Sequence, residues 1–148
     1  VPISEYPAVH VTATLAEAIK TLKDSFQTDK KGTITGQRSL LVLNDDNDLV
    51  GILTIRTILN AINVKSRIGA SLTRLFVRDV VQDNAMLLNV REVMRPVFSN
   101  CVNVDDSVEE AARVMLNGKI NIIPVMENGK AVGIIRSIDL FNIIGELL

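Results

Sequence analysis

The feature that most constrains this chain is a tandem internal repeat. The stretch KINIIPVMENGKAVGIIRSIDLFNII, from Lys119 to Ile144, has an earlier counterpart in RSLLVLNDDNDLVGILTIRTILNAI, from Arg38 to Ile62. Each copy reads as an apolar run, a polar turn, a second apolar run opened by Gly, and a segment of helical period. A repeated strand–turn–strand–helix unit sets the architecture before any single side chain does. At 148 residues there is room for two half-size units with a well-buried core.

The repeat extends upstream in both copies. Ala8 to Val11 reads as a short strand, and Thr14 opens a helix. Glu17 completes a capping box there, the Thr hydroxyl meeting one free N–H while the carboxylate reaches back to another. Leu15, Ala18, Ile19, Leu22 and Phe26 follow at helical spacing. In the second copy Val102 and Val104 form the strand, and Ser107 and Glu110 repeat the box. Val108, Ala111, Ala112 and Met115 repeat the stripe, and Gly118 ends the helix. The offset between copies is 93 residues from Val9 to Val102 and from Glu17 to Glu110, but 82 from Gly51 to Gly133. A longer loop before Arg38 and one extra turn residue account for the difference.

The remaining segments are assigned by local chemistry. Two prolines make 1–7 an extended arm, and residues 27–37 a polar loop. Leu40 to Leu43 and Leu49 to Leu53 are strands joined by NDDND, a turn of residues that tolerate left-handed backbone. Ile120 to Met126 and Ala131 to Ile135 form a hairpin through Asn128-Gly129. Ile55, Ile58, Leu59 and Ile62 line one terminal helix; Leu140, Phe141 and Ile144 line the other. Residues 63–93 have no counterpart. Leu72, Leu75, Phe76, Val80, Leu87 and Leu88, flanked by Arg74, Arg78 and Arg91, suggest one or two amphipathic helices. These either complete the core between the repeats or offer a surface to a partner. The expected division is 1–62, a helical insertion at 63–93, and 94–148.

Composition excludes several functions. A net charge of -1 with interspersed signs gives no bulk attraction to nucleic acid or anionic membrane. No apolar run approaches the roughly 18 residues needed to span a bilayer, and the start is not signal-like. The lone Cys101 cannot form an internal disulfide. A cytoplasmic protein is expected, with something upstream of Val1 removed or left out. Catalysis has little support: His10, the one histidine, has no nucleophile placed beside it by any motif. One His and one Cys cannot make a zinc set. Asp45, Asp46 and Asp48 lack the central Gly and closing Glu of a calcium loop. No catalytic residue and no metal site is assigned.

A strand, a capped helix, a hairpin whose second strand opens with Gly, and a final helix, in two copies, resembles a pair of CBS domains forming a Bateman module. The likeness is carried by VREVMRPVFSNCVNVDDSVEEAARVM and INIIPVMENGKAVGIIRSIDL in the second copy and by LVGILTIRTIL in the first. It implies an α/β fold of two β-α-β-β-α units in pseudo-two-fold arrangement, with an inserted helical segment, and commonly a homodimer. It also implies a regulatory module with no covalent cofactor. In the family, AMP, ADP, ATP or S-adenosylmethionine often sits in clefts between the units. A Thr or Ser at the strand-to-helix corner lies near ribose or phosphate, and an Asp three positions on accepts from ribose hydroxyls. A helix start suits phosphate, and a carboxylate suits a vicinal diol, on physical grounds alone.

Here that signature is split. GILTIRTI keeps Thr54 but has Thr57 where the Asp belongs; GIIRSIDL keeps Asp139 but has Arg136 in place of the Thr. The resemblance therefore points to the second copy. Asp139 would accept from ribose, and Arg136, Ser137 and Lys119 would meet phosphate, with Cys101 and Val102 beside the base. Thr54 is the corresponding candidate in the first copy. Two alternatives stay open. Thr54 and Ser137 can serve as helix caps with Asp139 answering the helix dipole, and the chain can be a dimerisation or protein-interaction module without a ligand.

Overall fold

The computed structural model describes residues 2–28, 30–66 and 84–148. The chain divides into two compact units, one of Tyr6–Arg95 and one of Val1–Glu5 with Pro96–Leu148. Both are α/β, and each contains the β-α-β-β-α order that the repeat implies.

In the Tyr6–Arg95 unit, β1 (Ala8–His10) leads to α1 (Leu15–Asp24). The expected capping box is present: the Glu17 N–H donates to the Thr14 hydroxyl (3.2 Å), and the Thr14 N–H donates to the Glu17 carboxylate (3.3 Å). The polar loop contains a two-stranded ribbon, β2 (Gln27–Thr28) against β3 (Ile34–Thr35). Next come β4 (Ser39–Leu43), β5 (Leu49–Thr54) and α2 (Ile55–Ser66). β4 pairs parallel to β1 and antiparallel to β5. That central place explains its unbroken apolar run, with Leu40, Leu41 and Val42 all buried. A 3-10 turn at Asn84–Leu87 precedes the short helix α3 (Val90–Val93). This segment is stitched to the start of α1, the Leu15 N–H donating to the Leu88 carbonyl and the Val90 N–H to that of Ala13. Val90 thereby joins Leu15, Ala18, Leu22, Leu40, Val42, Leu53 and Ile58 in one core. The short strand β6 (Arg95–Pro96), where the chain leaves the unit, extends the sheet to the order β1-β4-β5-β6.

The second unit repeats the plan with β7 (Val102–Asn103), α4 (Val108–Gly118), β8 (Ile122–Glu127), β9 (Lys130–Arg136) and α5 (Ser137–Glu146). β8 is central, parallel to β7 and antiparallel to β9. Val102, Ala111, Met115, Ile123 and Leu140 form its core. The β8–β9 turn has positive φ at both central residues, Asn128 (52°) and Gly129 (80°), as a tight hairpin that matches strand twist requires. The β4–β5 turn is instead built on Asn44. Its side-chain oxygen accepts from the N–H groups of Asp46 and Asp48, both at 3.0 Å, so the aspartates there serve a turn. Both hairpins carry a register shift at matching places, after Val42 and after Val125, with Gly51 and Gly133 as the partners of those two residues.

Several local expectations are corrected. Residues Ile3–Glu5 form a 3-10 turn packed on β9, in place of an extended arm; Pro2 supplies the turn's first carbonyl, which accepts from the Glu5 N–H. Ser107 caps α4 through the Glu110 N–H, but the Glu110 carboxylate pairs with Arg113 and does not reach back. Gly118 ends α4 as expected, but the left-handed residue is the next one, Lys119, at φ 54°, ψ 46°. Gly118 answers a different need, since a Cβ there would lie 2.9 Å from the Asn100 side-chain oxygen. Val104 falls just outside β7 and is half exposed. Ile55, Leu59, Phe141 and Ile144 face outward; the cores take Ile58 and Leu140. Leu72, Leu75, Phe76, Val80, Arg74 and Arg78 lie outside the described residues, whereas Leu87 is exposed in the 3-10 turn.

Candidate functional site

In an antiparallel hairpin the end of the second strand lies beside the start of the first. Arg136, the last residue of β9, is therefore the register partner of Ile122, the first residue of β8. Because β7 runs parallel to β8, the residue entering β7, Cys101, lies toward the same end of the sheet. Lys119 and Asn121, at the passage from α4 into β8, are there as well. The topology thus gathers Cys101, Lys119, Arg136, Ser137 and Asp139 toward one end of the three-stranded sheet, whereas Val102, the partner of Val125, lies farther along β8. Thr54 occupies the equivalent corner of the other unit.

The β9–α5 corner is tightly bonded. The Asp139 carboxylate accepts from the Arg136 backbone N–H (Oδ2, 2.9 Å), from Nε (Oδ2, 3.0 Å) and from Nη2 (Oδ1, 2.6 Å). The side chains are partly sheltered, at 35% exposure for Arg136 and 23% for Asp139. The Arg136 side chain holds the Asp139 carboxyl below the ordinary carboxylate range, working against partial burial and helped by the Arg136 backbone N–H. Ser137, exposed, opens α5, and its N–H donates to the Asn121 carbonyl (2.8 Å), tying the corner to the start of β8. Asn121 was not foreseen, because a backbone acceptor leaves no side-chain signal in sequence. Lys119 is exposed at the left-handed end of α4, Cys101 is half-buried, and Val102 is buried opposite Val125.

The other corner has the same shape and different chemistry. Thr57 stands at the position of Asp139, and its hydroxyl oxygen accepts from the Thr54 N–H (2.8 Å) while donating to the Thr54 carbonyl (2.8 Å). The Thr57 N–H in turn donates to the Thr54 hydroxyl (3.1 Å). The two threonines make a neutral, reciprocal helix cap with no carboxylate. A guanidinium has no acceptor atom, so Arg136 cannot reproduce the Thr54 half of this arrangement.

Profile comparison assigns both repeats at once: the CBS domain matches residues 1–64 and 90–146. The chain belongs to the CBS-domain family. Comparison with curated proteins gives no match. Among solved structures, CBSX2 in complex with AMP is 21% identical, with 99% of this chain and 92% of that one covered and a TM-score of 0.66. CBSX2 from Arabidopsis thaliana is 20% identical over 99% and 91%, TM-score 0.70. The cytosolic domain of the Mg2+ channel MgtE in complex with ATP is 24% identical, TM-score 0.60; 94% of this chain is covered but only 45% of that one. This CBS-domain pair therefore shares its fold with proteins from several settings.

Other constellations serve local roles. His10 Nε2 meets Asp45 Oδ1 at 2.6 Å, and Nδ1 accepts from the Thr12 N–H at 3.2 Å with the Thr12 hydroxyl at 2.8 Å. The Nδ1 contacts identify Nε2 as the protonated nitrogen. With Asp45 at 93% exposure this is a surface tie between β1 and the β4–β5 turn. Among the described residues, no three His, Cys, Asp or Glu side chains are grouped to hold a metal ion. No helix among them is long and apolar enough to cross a membrane.

Proposed function

We propose that this CBS pair is a regulatory module that senses an adenine nucleotide or related adenosyl ligand at the β9–α5 corner of its second repeat. The observation that carries the reading is the partly sheltered Asp139 carboxylate, a diol acceptor at the same sheet end as Ser137 and Lys119, with Cys101 and Val102 along the neighbouring strand β7. Ribose hydroxyls would donate to Asp139, phosphate would meet Arg136, Ser137 and Lys119, and the base would lie against Cys101 and Val102. Thr54 offers a weaker second position, since its hydroxyl already serves the Thr57 cap. Structures of similar fold in complex with AMP and with ATP support the same ligand class.

Signalling would follow from differential affinity, since a ligand shifts a conformational equilibrium only if it binds one arrangement better. The exposed apolar residues of α5, Ile138, Phe141 and Ile144, supply a surface for a homodimer whose contacts the ligand could alter. The same residues favour a second reading, in which the chain dimerises or docks to a partner without any ligand. Calorimetric titration with AMP, ADP, ATP and S-adenosylmethionine separates the two. One-site binding that is lost in Asp139→Ala is expected. No heat from any of the four, with the chain folded, would move the assignment to the interaction module.

A further inference from the structure

We propose that the pocket between the β1–α1 connection and the start of α3 is a second ligand site, one that takes a free α-amino acid with an apolar side chain. The pocket has a volume of about 360 Å³ and is lined by Val11, Thr12, Leu87, Asn89, Arg91 and Glu92. That is the small end of the range for small-molecule sites, about 300–1,000 Å³, and suits a ligand of amino-acid size. It is separate from the Thr54 corner. β1 runs parallel to β4, and the Val11 N–H donates to the Leu43 carbonyl. The pocket therefore stands at the β4–β5 turn end of the sheet, whereas Thr54 pairs with Ser39 at the opposite end.

The ligand class follows from how the lining groups are engaged. The Asn89 side-chain oxygen accepts from the Arg91 backbone N–H at 2.8 Å, which leaves the Asn89 NH2 as a donor. Among the described residues nothing accepts from the Arg91 guanidinium, its neighbour Glu92 included. These two donor groups suit a carboxylate, which a guanidinium takes in bidentate form. Two acceptors belong to the same lining. The Glu92 carboxylate accepts from the Asn89 N–H at 3.3 Å and keeps its other lone pairs. The Thr12 hydroxyl directs its proton to His10 Nδ1 at 2.8 Å, so its oxygen is left to accept. These suit an ammonium. Val11 and the exposed Leu87 add apolar surface. An anion without an amine would sit beside the Glu92 carboxylate, and an amine without a carboxylate beside the Arg91 guanidinium. A zwitterion avoids both like-charge contacts. The lining also joins two segments already held by the Leu15–Leu88 and Val90–Ala13 backbone bonds, so a ligand that touches Thr12 and Arg91 together stabilises the Tyr6–Arg95 unit.

The test is NMR titration of the 148-residue chain with L-leucine and with three compounds that each lack one feature: leucinamide the carboxylate, 4-methylpentanoate the amine, and glycine the side chain. L-Leucine should bind with a Kd of about 0.1–10 mM, since charges at an exposed rim contribute little each. It should shift the amides of Val11, Thr12, Leu87, Asn89, Arg91 and Glu92. Each comparison compound should bind at least about fivefold more weakly. Arg91→Met keeps the aliphatic stem and should weaken L-leucine about three- to tenfold. Glu92→Gln still offers the cap an oxygen and should weaken it about two- to fivefold. Both variants without ligand should melt within about 2 °C of wild type, so that lost binding is not lost folding. Absence of shifts at these amides up to about 50 mM L-leucine would overturn the assignment. So would a comparison compound that binds as tightly as L-leucine, or an affinity unchanged in both variants.

Discussion

Gly51 shows how a strand glycine can be required by its neighbour and not by its own backbone. It is buried in β5 opposite Val42, and a Cβ built on it would lie 2.2 Å from Met94 Sδ, 2.8 Å from Cγ and 3.0 Å from Cβ. Ordinary contact distances are about 3.5–4.0 Å, so the sulfur would have to retreat by more than 1 Å. The crowding reaches the root of the Met94 side chain, and a change of rotamer alone leaves the Cβ–Cβ approach in place. Overpacking of this kind costs about 1–3 kcal/mol, against which Ala regains about 0.5–1 kcal/mol of the glycine's strand penalty. Gly51→Ala should therefore destabilise by about 1–2 kcal/mol net. The decisive comparison is a double-mutant cycle with Met94→Ala. Truncating this partly buried methionine should cost about 1–2 kcal/mol alone, below the range for a fully buried one. It also vacates the space that the new methyl needs, so the double variant should be less destabilised than the sum by at least about 1 kcal/mol. Urea unfolding followed by far-UV circular dichroism suits a chain without tryptophan. Additivity within about 0.5 kcal/mol, or a neutral Gly51→Ala, would refute the close-approach argument.

Three further outcomes are expected. Thr14→Ala should cost about 1 kcal/mol in the same assay through loss of the α1 cap, and Glu17→Ala should add little to it because the two act reciprocally. Lys119→Gly should raise stability by about 0.5–1 kcal/mol, because left-handed backbone penalises a side chain and glycine is the usual residue there; a lowered melting temperature would contradict it. Asp139 supplies a pH test. Its folded carboxyl titrates below the ordinary value of about 3.9, so its contribution is complete above that pH and is lost as the pH falls through the folded value. Asp139→Asn should be less stable than wild type at pH 7 by under about 1 kcal/mol, the pair being partly exposed. The two proteins should converge in acid, and a difference that widens on acidification would reverse the sign of the argument.

How far each feature could be read from sequence depended on the range of its cause. The Thr14–Glu17 box and the Asn128–Gly129 turn are produced by residues adjacent in the chain, and both stand where the sequence put them. Ser107 and Glu110 carry the same pattern yet close only half the box, because Arg113, one helical turn on, competes for the carboxylate. The Arg136–Asp139 closure lay within local reach too, but a long side chain at a corner has many rotamers, and only the folded hairpin shows it turned onto Asp139.

What the sequence by itself determined is the repeat, and with it the β-α-β-β-α units and the identity of the two corners, because periodicity and capping are local physics written along the chain. Tertiary structure alone decided which stripe residues found neighbours: Leu140 and Ile58 entered cores while Phe141 and Leu59 did not. It also decided why Gly51 is glycine, and that Cys101, Lys119 and Asp139 share one end of a sheet. Those outcomes depend on strand order and on atoms distant in sequence, whose approach is set by how β7, β8 and β9 pair and by no residue acting alone.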